Sequence, residues 1–208
     1  MPIHPYLRAL RERLARGERV RLLGLGDSLT AGWEVSRGFF DRFADGLAAR
    51  FPRASLVPVQ AGVPGDTAEG GLGRVGRLLA PAPELAVVQF GLNDASMGVP
   101  VAAYAGALEG IGRRLLDAGS AAVLVTSCPL PDPEGNRWIR PYYDAVRRVG
   151  AALGCAVAEL DRHWTARAGS RAARALWGRD GVHPTDDGHA LAQACGRHGG
   201  DHTGDPCA

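Results

Sequence analysis

The chain contains no lysine, and all 24 basic residues among its 208 residues are arginines. This absence excludes the chemistries that need a lysine amine: Schiff-base catalysis, anchoring of pyridoxal phosphate, and the phosphate-binding lysine of a P-loop. The formal net charge is only +2, which is too small to indicate a nucleic acid or an acidic lipid surface as a partner. We therefore expect no nucleic-acid binding.

Paired cysteines and long apolar runs are also missing. The four cysteines form no CxxC pair, so they indicate neither a disulfide framework nor a zinc site. No apolar run approaches the roughly 20 residues of a membrane span. The N-terminal segment is rich in arginine and lacks the apolar core of a signal peptide. We expect a cytoplasmic protein without a membrane span.

Short apolar runs alternate along the chain with stretches of helical periodicity. The predicted strands are residues 19–25, 55–60, 85–90, 121–126 and 156–160. The predicted helices are residues 4–16, 38–50, 67–79, 101–118, 138–153 and 185–197. This alternation is typical of a parallel sheet with right-handed crossovers and helices on both faces.

The predicted fold class is therefore α/β: a three-layer α/β/α, flavodoxin-like domain with a mainly five-stranded parallel sheet. We expect this single domain to cover residues 1–198. Residues 199–208 are rich in glycine and polar, which predicts a disordered tail.

Polar motifs follow the predicted strands. Ligands of such sheets bind at the carboxyl ends of the strands, so these motifs are expected to lie together at one edge. The motifs are GDS at 26–28, AGVPGDT at 61–67, GLND at 91–94, SCP at 127–129 and, before the last helix, DGVHP at 180–184.

The first motif allows three interpretations. A dinucleotide-phosphate loop would need a third glycine where Leu29 stands, and Asp27 would put a negative charge beside the phosphate. A simple strand-to-helix turn is also possible, because Gly, Asp and Ser are common in turns and Ser is a good N-cap. The third interpretation makes Ser28 a nucleophile, which requires a base to remove its proton.

His183 is the best-placed base, because Asp180 lies three residues before it. The carboxylate can fold back onto Nδ1 of the imidazole and so fix its tautomer. His183 could instead be a structural residue that caps a helix. A metal site is a further alternative, since Asp186, Asp187 and His189 follow closely, but their spacing matches no familiar metal site.

Ester chemistry at Ser28 would also need hydrogen-bond donors for a developing oxyanion. Asn93 is one of only two asparagines in the chain, and its side-chain amide can donate. Gly65 can bring its N–H close to a ligand because it has no side chain. Both could also be ordinary turn residues.

Four of these motifs occur in one order: GDSL at 26–29, GDT at 65–67, GLND at 91–94 and DGVHP at 180–184. In this order they resemble the SGNH hydrolases, also called GDSL esterases or lipases, over nearly the whole chain. The resemblance implies an esterase of three α/β/α layers with no metal and no organic cofactor.

The resemblance also implies a role for each matching residue. Ser28 is the nucleophile, His183 the base and Asp180 the group that orients it. The oxyanion hole would consist of the N–H groups of Ser28 and Gly65 and the side-chain amide of Asn93.

Asp27 and Asp94 would support the loops of this site. The chain departs from the family in one place: the loop after the second strand opens with Gln60 where the family often has Asn, which leaves Gly62 as a rival to Gly65. An α/β-hydrolase is the weaker match, because Thr30 stands where its G-x-S-x-G motif needs glycine.

We thus expect a serine esterase that acts on small or medium soluble esters, because no long apolar lid is visible. Met97, Leu130 and Trp138 follow the third and fourth strands and are candidates for contact with the substrate, although they could merely pack the loops. An acyltransferase of the same fold and a non-catalytic binding module are the alternatives.

Overall fold

The computed structural model describes residues 5–167 and 173–198. Its centre is a five-stranded parallel sheet in the order β2-β1-β3-β4-β5, which confirms the predicted fold class. The strands are β1 (Arg19–Gly26), β2 (Ser55–Gly62), β3 (Leu85–Gln89), β4 (Ala121–Val125) and β5 (Ala156–Ala158). The predicted tail at 199–208 lies outside the described residues.

Helices follow the strands in chain order. They are α1 (Pro5–Ala15), α2 (Ser28–Ala31), α3 (Phe39–Arg50), α4 (Ala68–Val75), α5 (Leu92–Ser96), α6 (Val101–Asp117), α7 (Pro133–Leu153), α8 (Leu160–Arg167) and α9 (Asp186–His198). Two 3₁₀ turns are also present: Gly76–Leu78 follows α4, and Ala173–Leu176 precedes α9.

Two cores cover the two faces of the sheet. Side chains alternate between the faces along each strand, so Leu23 and Leu25 of β1 join one core while Val20 and Leu22 join the other. The first core packs against α4, α5, α6 and α7, and the second against α1, α3, α8 and α9. The three middle strands are therefore buried. The edge strand β2 is partly exposed, and it tolerates Pro58 because an edge strand can lose one ladder N–H.

The structure corrects the predicted start of the helix at 138–153. Helix α7 begins at Pro133, five residues before the predicted start. Asp132 caps this helix by accepting a hydrogen bond from the Gly135 N–H (2.8 Å), and proline suits the first helical position because the N–H that it lacks would be unpaired there. Leu160, which was assigned to the fifth strand, instead begins the unpredicted helix α8.

The carboxyl ends of the three neighbouring strands meet where the motifs begin. Gly26 at the end of β1 is paired with Gly62 of β2 on one side and with Gln89 of β3 on the other. A side chain at Gly26 would come within 2.4 Å of the Gln89 carbonyl oxygen and 2.1 Å of the Thr30 hydroxyl, so the strands can approach here only because this residue is glycine.

No helix in the described part of the chain has both the length and the apolar character needed to cross a membrane.

Candidate active site

Ser28 is the first residue of α2 and lies at the turn that leaves the central strand β1. Asp27 caps the helix by accepting a hydrogen bond from the Leu29 N–H (2.9 Å). The helix ends at Gly32 in the left-handed conformation (φ 74°), and the Trp33 N–H donates back to the Ser28 carbonyl (3.0 Å). Backbone hydrogen bonds therefore hold Ser28 in place, and its side chain is not needed to form the turn.

The side chain of Ser28 forms a relay with two residues from the other end of the chain. Its Oγ lies 2.9 Å from Nε2 of His183, 155 residues away in sequence. Nδ1 of the same ring lies 2.5 Å from Oδ2 of Asp180. A hydroxyl, an imidazole and a carboxylate in this sequence can pass the serine proton to the ring and stabilise the imidazolium that forms.

The loop that carries Asp180 and His183 is closed by its own backbone. Oδ1 of Asp180 accepts hydrogen bonds from the N–H groups of Val182 (2.9 Å) and His183 (3.0 Å). Partial burial acts to raise the pKa of Asp180, but these bonds and the imidazole outweigh it and lower the pKa to about 2. Asp180 is therefore an anion at neutral pH, and it faces Nδ1 with its second oxygen.

Trp177 anchors the same loop to the rest of the protein. It forms an antiparallel bridge with Pro184, which closes the loop at its base. Its indole N–H donates to the carbonyl of Pro129, in the segment after β4 (3.1 Å). The loop that carries His183 is thereby tied to the segment that follows β4.

The structure brings Asn93 to the loop that carries Gly65. Nδ2 of Asn93 donates to the carbonyl of Asp66 (2.9 Å), next to Gly65, and retains a second N–H. Gly65 adopts φ 79°, which other residues rarely do, although a side chain there would meet no atom within 4 Å. The rival Gly62 uses its N–H to donate to Oε1 of Gln60 (2.9 Å) and packs against α2.

Asp27 and Asp94 are buried and bind backbone N–H groups. Asp94 accepts from the N–H of Ala68, the first residue of α4, at 3.0 and 3.3 Å. It thus connects the segment after β3 to the loop that carries Gly65. Burial raises the pKa of Asp94, and it raises the pKa of Asp27 to about 7 against the hydrogen bonds from Leu29 and Gln89.

Gln89 was missed by the sequence reasoning, although a polar residue at the end of the apolar strand β3 is a visible signal. Its side chain is fully buried. Nε2 donates to Oδ2 of Asp27 (3.3 Å) and to Oγ of Ser127 (2.9 Å), and Oε1 accepts from the Thr30 hydroxyl (2.9 Å). Gln89 therefore holds residues on both sides of Ser28.

The candidate substrate-contact residues differ in exposure. Met97 is 62% exposed and Trp138 is 48% exposed. Leu130 instead packs against the core, and its backbone N–H and carbonyl both bond to the side chain of Asn136. Trp33, which the sequence reasoning missed, is 47% exposed and has its ring centroid 6.4 Å from that of His183.

Two of the residues considered for a metal site, His189 and Asp186, have other partners. Nδ1 of His189 accepts from the N–H of Phe39 (3.0 Å), and burial lowers the pKa of this histidine to about 4. Asp186 pairs with Arg42 (2.6 Å). Over residues 5–167 and 173–198, no three His, Cys, Asp or Glu side chains are grouped so that they could hold a metal ion.

Comparison with known proteins gives consistent matches. The model of the GDSL-like lipase/acylhydrolase family matches residues 25–191. Esterase TesA of Pseudomonas aeruginosa is 30% identical over 166 residues, which are 78% of this chain and 79% of TesA. An arylesterase of Vibrio mimicus is 28% identical over 127 residues, which are 60% of this chain and 62% of that protein.

Solved structures agree with these matches. The crystal structure of TesA superposes with a TM-score of 0.73 at 26% identity and covers 84% of this chain and 94% of its own. A lipase/acylhydrolase from Enterococcus faecalis gives 0.72 at 28% identity, covering 85% and 92%. The acetylxylan esterase Axe2 of Geobacillus stearothermophilus gives 0.75 at 18% identity, covering 85% and 91%, and shows the shared fold alone.

Proposed function

Because the chain belongs to the GDSL-like lipase/acylhydrolase family, we propose that it is a serine hydrolase that cleaves carboxylic esters by two-step acyl transfer. One observation carries this proposal: Ser28 Oγ, His183 Nε2, His183 Nδ1 and Asp180 Oδ2 form a continuous relay with separations of 2.9 and 2.5 Å. Such a relay makes a serine hydroxyl nucleophilic at neutral pH.

In the first step, Ser28 Oγ forms a bond to the ester carbonyl carbon while its proton moves to Nε2 of His183. Asp180 stabilises the resulting imidazolium through Nδ1. The imidazolium then gives its proton to the alcohol oxygen as the ester C–O bond breaks, which leaves an acyl group on Ser28. A water molecule then attacks the acyl carbon while His183 takes its proton. The bond to Ser28 Oγ breaks, His183 returns the proton to this oxygen, and the carboxylic acid leaves.

The negative oxygen of each tetrahedral intermediate would bind the N–H groups of Ser28 and Gly65 and the second N–H of the Asn93 amide. Ser28 is in the first turn of a helix, where N–H groups have no partner within the helix. Gly65 is favoured over Gly62 because the N–H of Gly62 already has an acceptor. Asp27 and Asp94 would serve this site by holding α2 and the start of α4 in place.

Small or medium esters are the proposed substrates, and exposed apolar side chains are the proposed contacts. His183 protonates the leaving alcohol, so the exposed ring of Trp33 beside it would contact the alcohol group. Met97 and Trp138 offer exposed apolar surface for the acyl group, and Leu130 would support this surface from the core side. Arylesterase and acetylxylan esterase among the similar proteins indicate alcohol groups to include in a test.

The proposal is tested with the purified full chain. We expect hydrolysis of p-nitrophenyl acetate and butyrate, and labelling of Ser28 by a fluorophosphonate probe, with the modified residue identified by mass spectrometry. A panel of phenyl, alkyl and sugar acetates would then identify the preferred alcohol. If the folded protein shows no turnover and no labelling, the chain is a binding module and not an enzyme.

Replacing Asn93 by alanine is expected to lower kcat by about 10²–10³-fold and to change KM little, because an oxyanion donor acts mainly on the transition state. Asn136→Ala is the matched control for kcat, since this second asparagine also donates its amide to a backbone carbonyl. Its kcat should stay near the wild-type value, whereas its KM can change because Asn136 holds Leu130. Steady-state kinetics on p-nitrophenyl acetate gives both constants. A rise in KM with unchanged kcat would show that Asn93 only binds the substrate.

A further inference from the structure

We propose that Arg74 is a positioning residue for the oxyanion hole, an inference that rests on the proposed function. Arg74 lies on α4, and its side chain is about one quarter exposed. Its guanidinium binds three acceptors: Nη2 donates to the carbonyl of Gly26 (3.0 Å), Nη1 to the carbonyl of Ala61 (2.6 Å), and Nε to Oδ2 of Asp66 (2.8 Å).

The three acceptors belong to the segments that supply the site. Gly26 ends β1, immediately before Asp27 and Ser28. Ala61 is the next-to-last residue of β2, just before the loop that carries Gly65.

Asp66 connects that loop to the third donor. It follows Gly65 directly, and its carbonyl accepts the hydrogen bond from Asn93. One planar group thus sets the spacing between the serine N–H, the glycine N–H and the asparagine amide.

A second contact strengthens the same connection. The Val63 N–H donates to the Gly26 carbonyl (2.9 Å), so this oxygen accepts from both Arg74 and the glycine loop. Oδ1 of Asp66 accepts from the Thr67 N–H (3.0 Å), which fixes the carboxylate that faces the guanidinium. The loop is thereby folded back onto the end of β1.

Only arginine suits this position. Its guanidinium presents five N–H donors in a rigid plane, and three acceptors in different directions can bind it at once. A lysine ammonium is a compact charge on a flexible stem, and could not keep all three acceptors at these separations. Arg74 contacts none of the reacting atoms, so it acts through the groups that it holds.

The expected consequence is kinetic. Displacement of a catalytic group by 1 Å can reduce a rate about 10²-fold, so Arg74→Ala is expected to lower kcat by about that factor. KM should change little, because the loss affects the transition state. Methylguanidine in the assay should occupy the vacated site and raise the kcat of Arg74→Ala in a saturable manner, without effect on the wild type.

Arg114→Ala is the matched control. Arg114 donates to the carbonyl of Leu72 (2.7 Å), so it also joins a guanidinium to the backbone around α4, but it touches none of the three segments. Melting temperatures of both variants measure the purely structural cost. We expect kcat to remain near the wild-type value in Arg114→Ala and to respond to methylguanidine in Arg74→Ala alone.

A wild-type kcat in Arg74→Ala, or a lowered kcat that methylguanidine does not raise in the folded variant, overturns the inference. If Arg74→Ala does not fold, Arg74→Lys decides: a reduced kcat at unchanged KM supports the inference, and a wild-type kcat overturns it. The proposed function fails separately, if the wild type itself shows no hydrolysis that depends on Ser28.

Discussion

Replacing Ser28 by alanine is expected to lower kcat for ester hydrolysis by about 10⁶-fold, as loss of the nucleophile does in other serine hydrolases. In the described part of the chain, the Ser28 hydroxyl bonds only to His183. The turn around it depends on the Asp27 carboxylate and on backbone bonds, which alanine retains. The variant should therefore keep its fold and its melting temperature while losing its chemistry.

Three measurements check this prediction. Turnover of p-nitrophenyl acetate reports the chemical step, fluorophosphonate labelling reports the nucleophile, and thermal melts followed by circular dichroism report the fold. Ser120→Ala is the matched control. Ser120 is also buried, but it precedes β4 and so lies at the amino ends of the strands, whereas Ser28 follows the carboxyl end of β1. Retained turnover in Ser28→Ala, or equal loss in Ser120→Ala, would contradict the assigned nucleophile.

The sequence predicted the strands well because their burial leaves a local signature. Residues 85–89 form β3 almost as predicted. All five are buried, and all except Gln89 are apolar. Short helices α2 and α5 leave no such signature, because four or five residues are too few for periodicity. Helix α2 depends on capping by Asp27, which in sequence alone is equally typical of a turn.

Helix α7 shows the opposite error. Asp132 and Pro133 lie before the predicted helix at 138–153, because aspartate and proline are both typical of loops. In the structure they begin the helix, one as its cap and the other as its first residue. The same residue types start helices and form loops, so composition could not distinguish the two.

The motif residues of the site could be named from sequence, whereas the residues that hold them could not. Arg74 binds Gly26 from 48 residues away, and Gln89 binds Asp27 from 62 residues away. These contacts depend on the order of strands in the sheet and leave no local pattern. A charged side chain on a glycine-rich helix is typical of solvent exposure, so nothing in the sequence distinguished Arg74 from Arg77.

Replacing Asp180 by asparagine is expected to lower kcat by about 10⁴-fold through the tautomer of His183. Oδ1 of Asp180 accepts the N–H groups of Val182 and His183, and the asparagine oxygen can keep both bonds. Its NH₂ group then faces Nδ1, where Oδ2 now lies. Because NH₂ is a donor, Nδ1 must accept, and the ring proton moves to Nε2. That proton points at Ser28 Oγ, so the ring can no longer remove the serine proton.

The neighbouring variants separate tautomer, charge and loop structure. Asp187→Asn removes an exposed negative charge seven residues away and is expected to keep kcat near the wild-type value. Asp180→Ala also breaks the two backbone bonds, so its melting temperature should fall, while that of Asp180→Asn should not. ¹H–¹⁵N correlation spectra of the His183 ring report the tautomer directly. If the ring proton of Asp180→Asn is still on Nδ1, Nε2 remains free to accept the serine proton. A lowered kcat in that case would mean that the carboxylate acts through its charge and not through the tautomer.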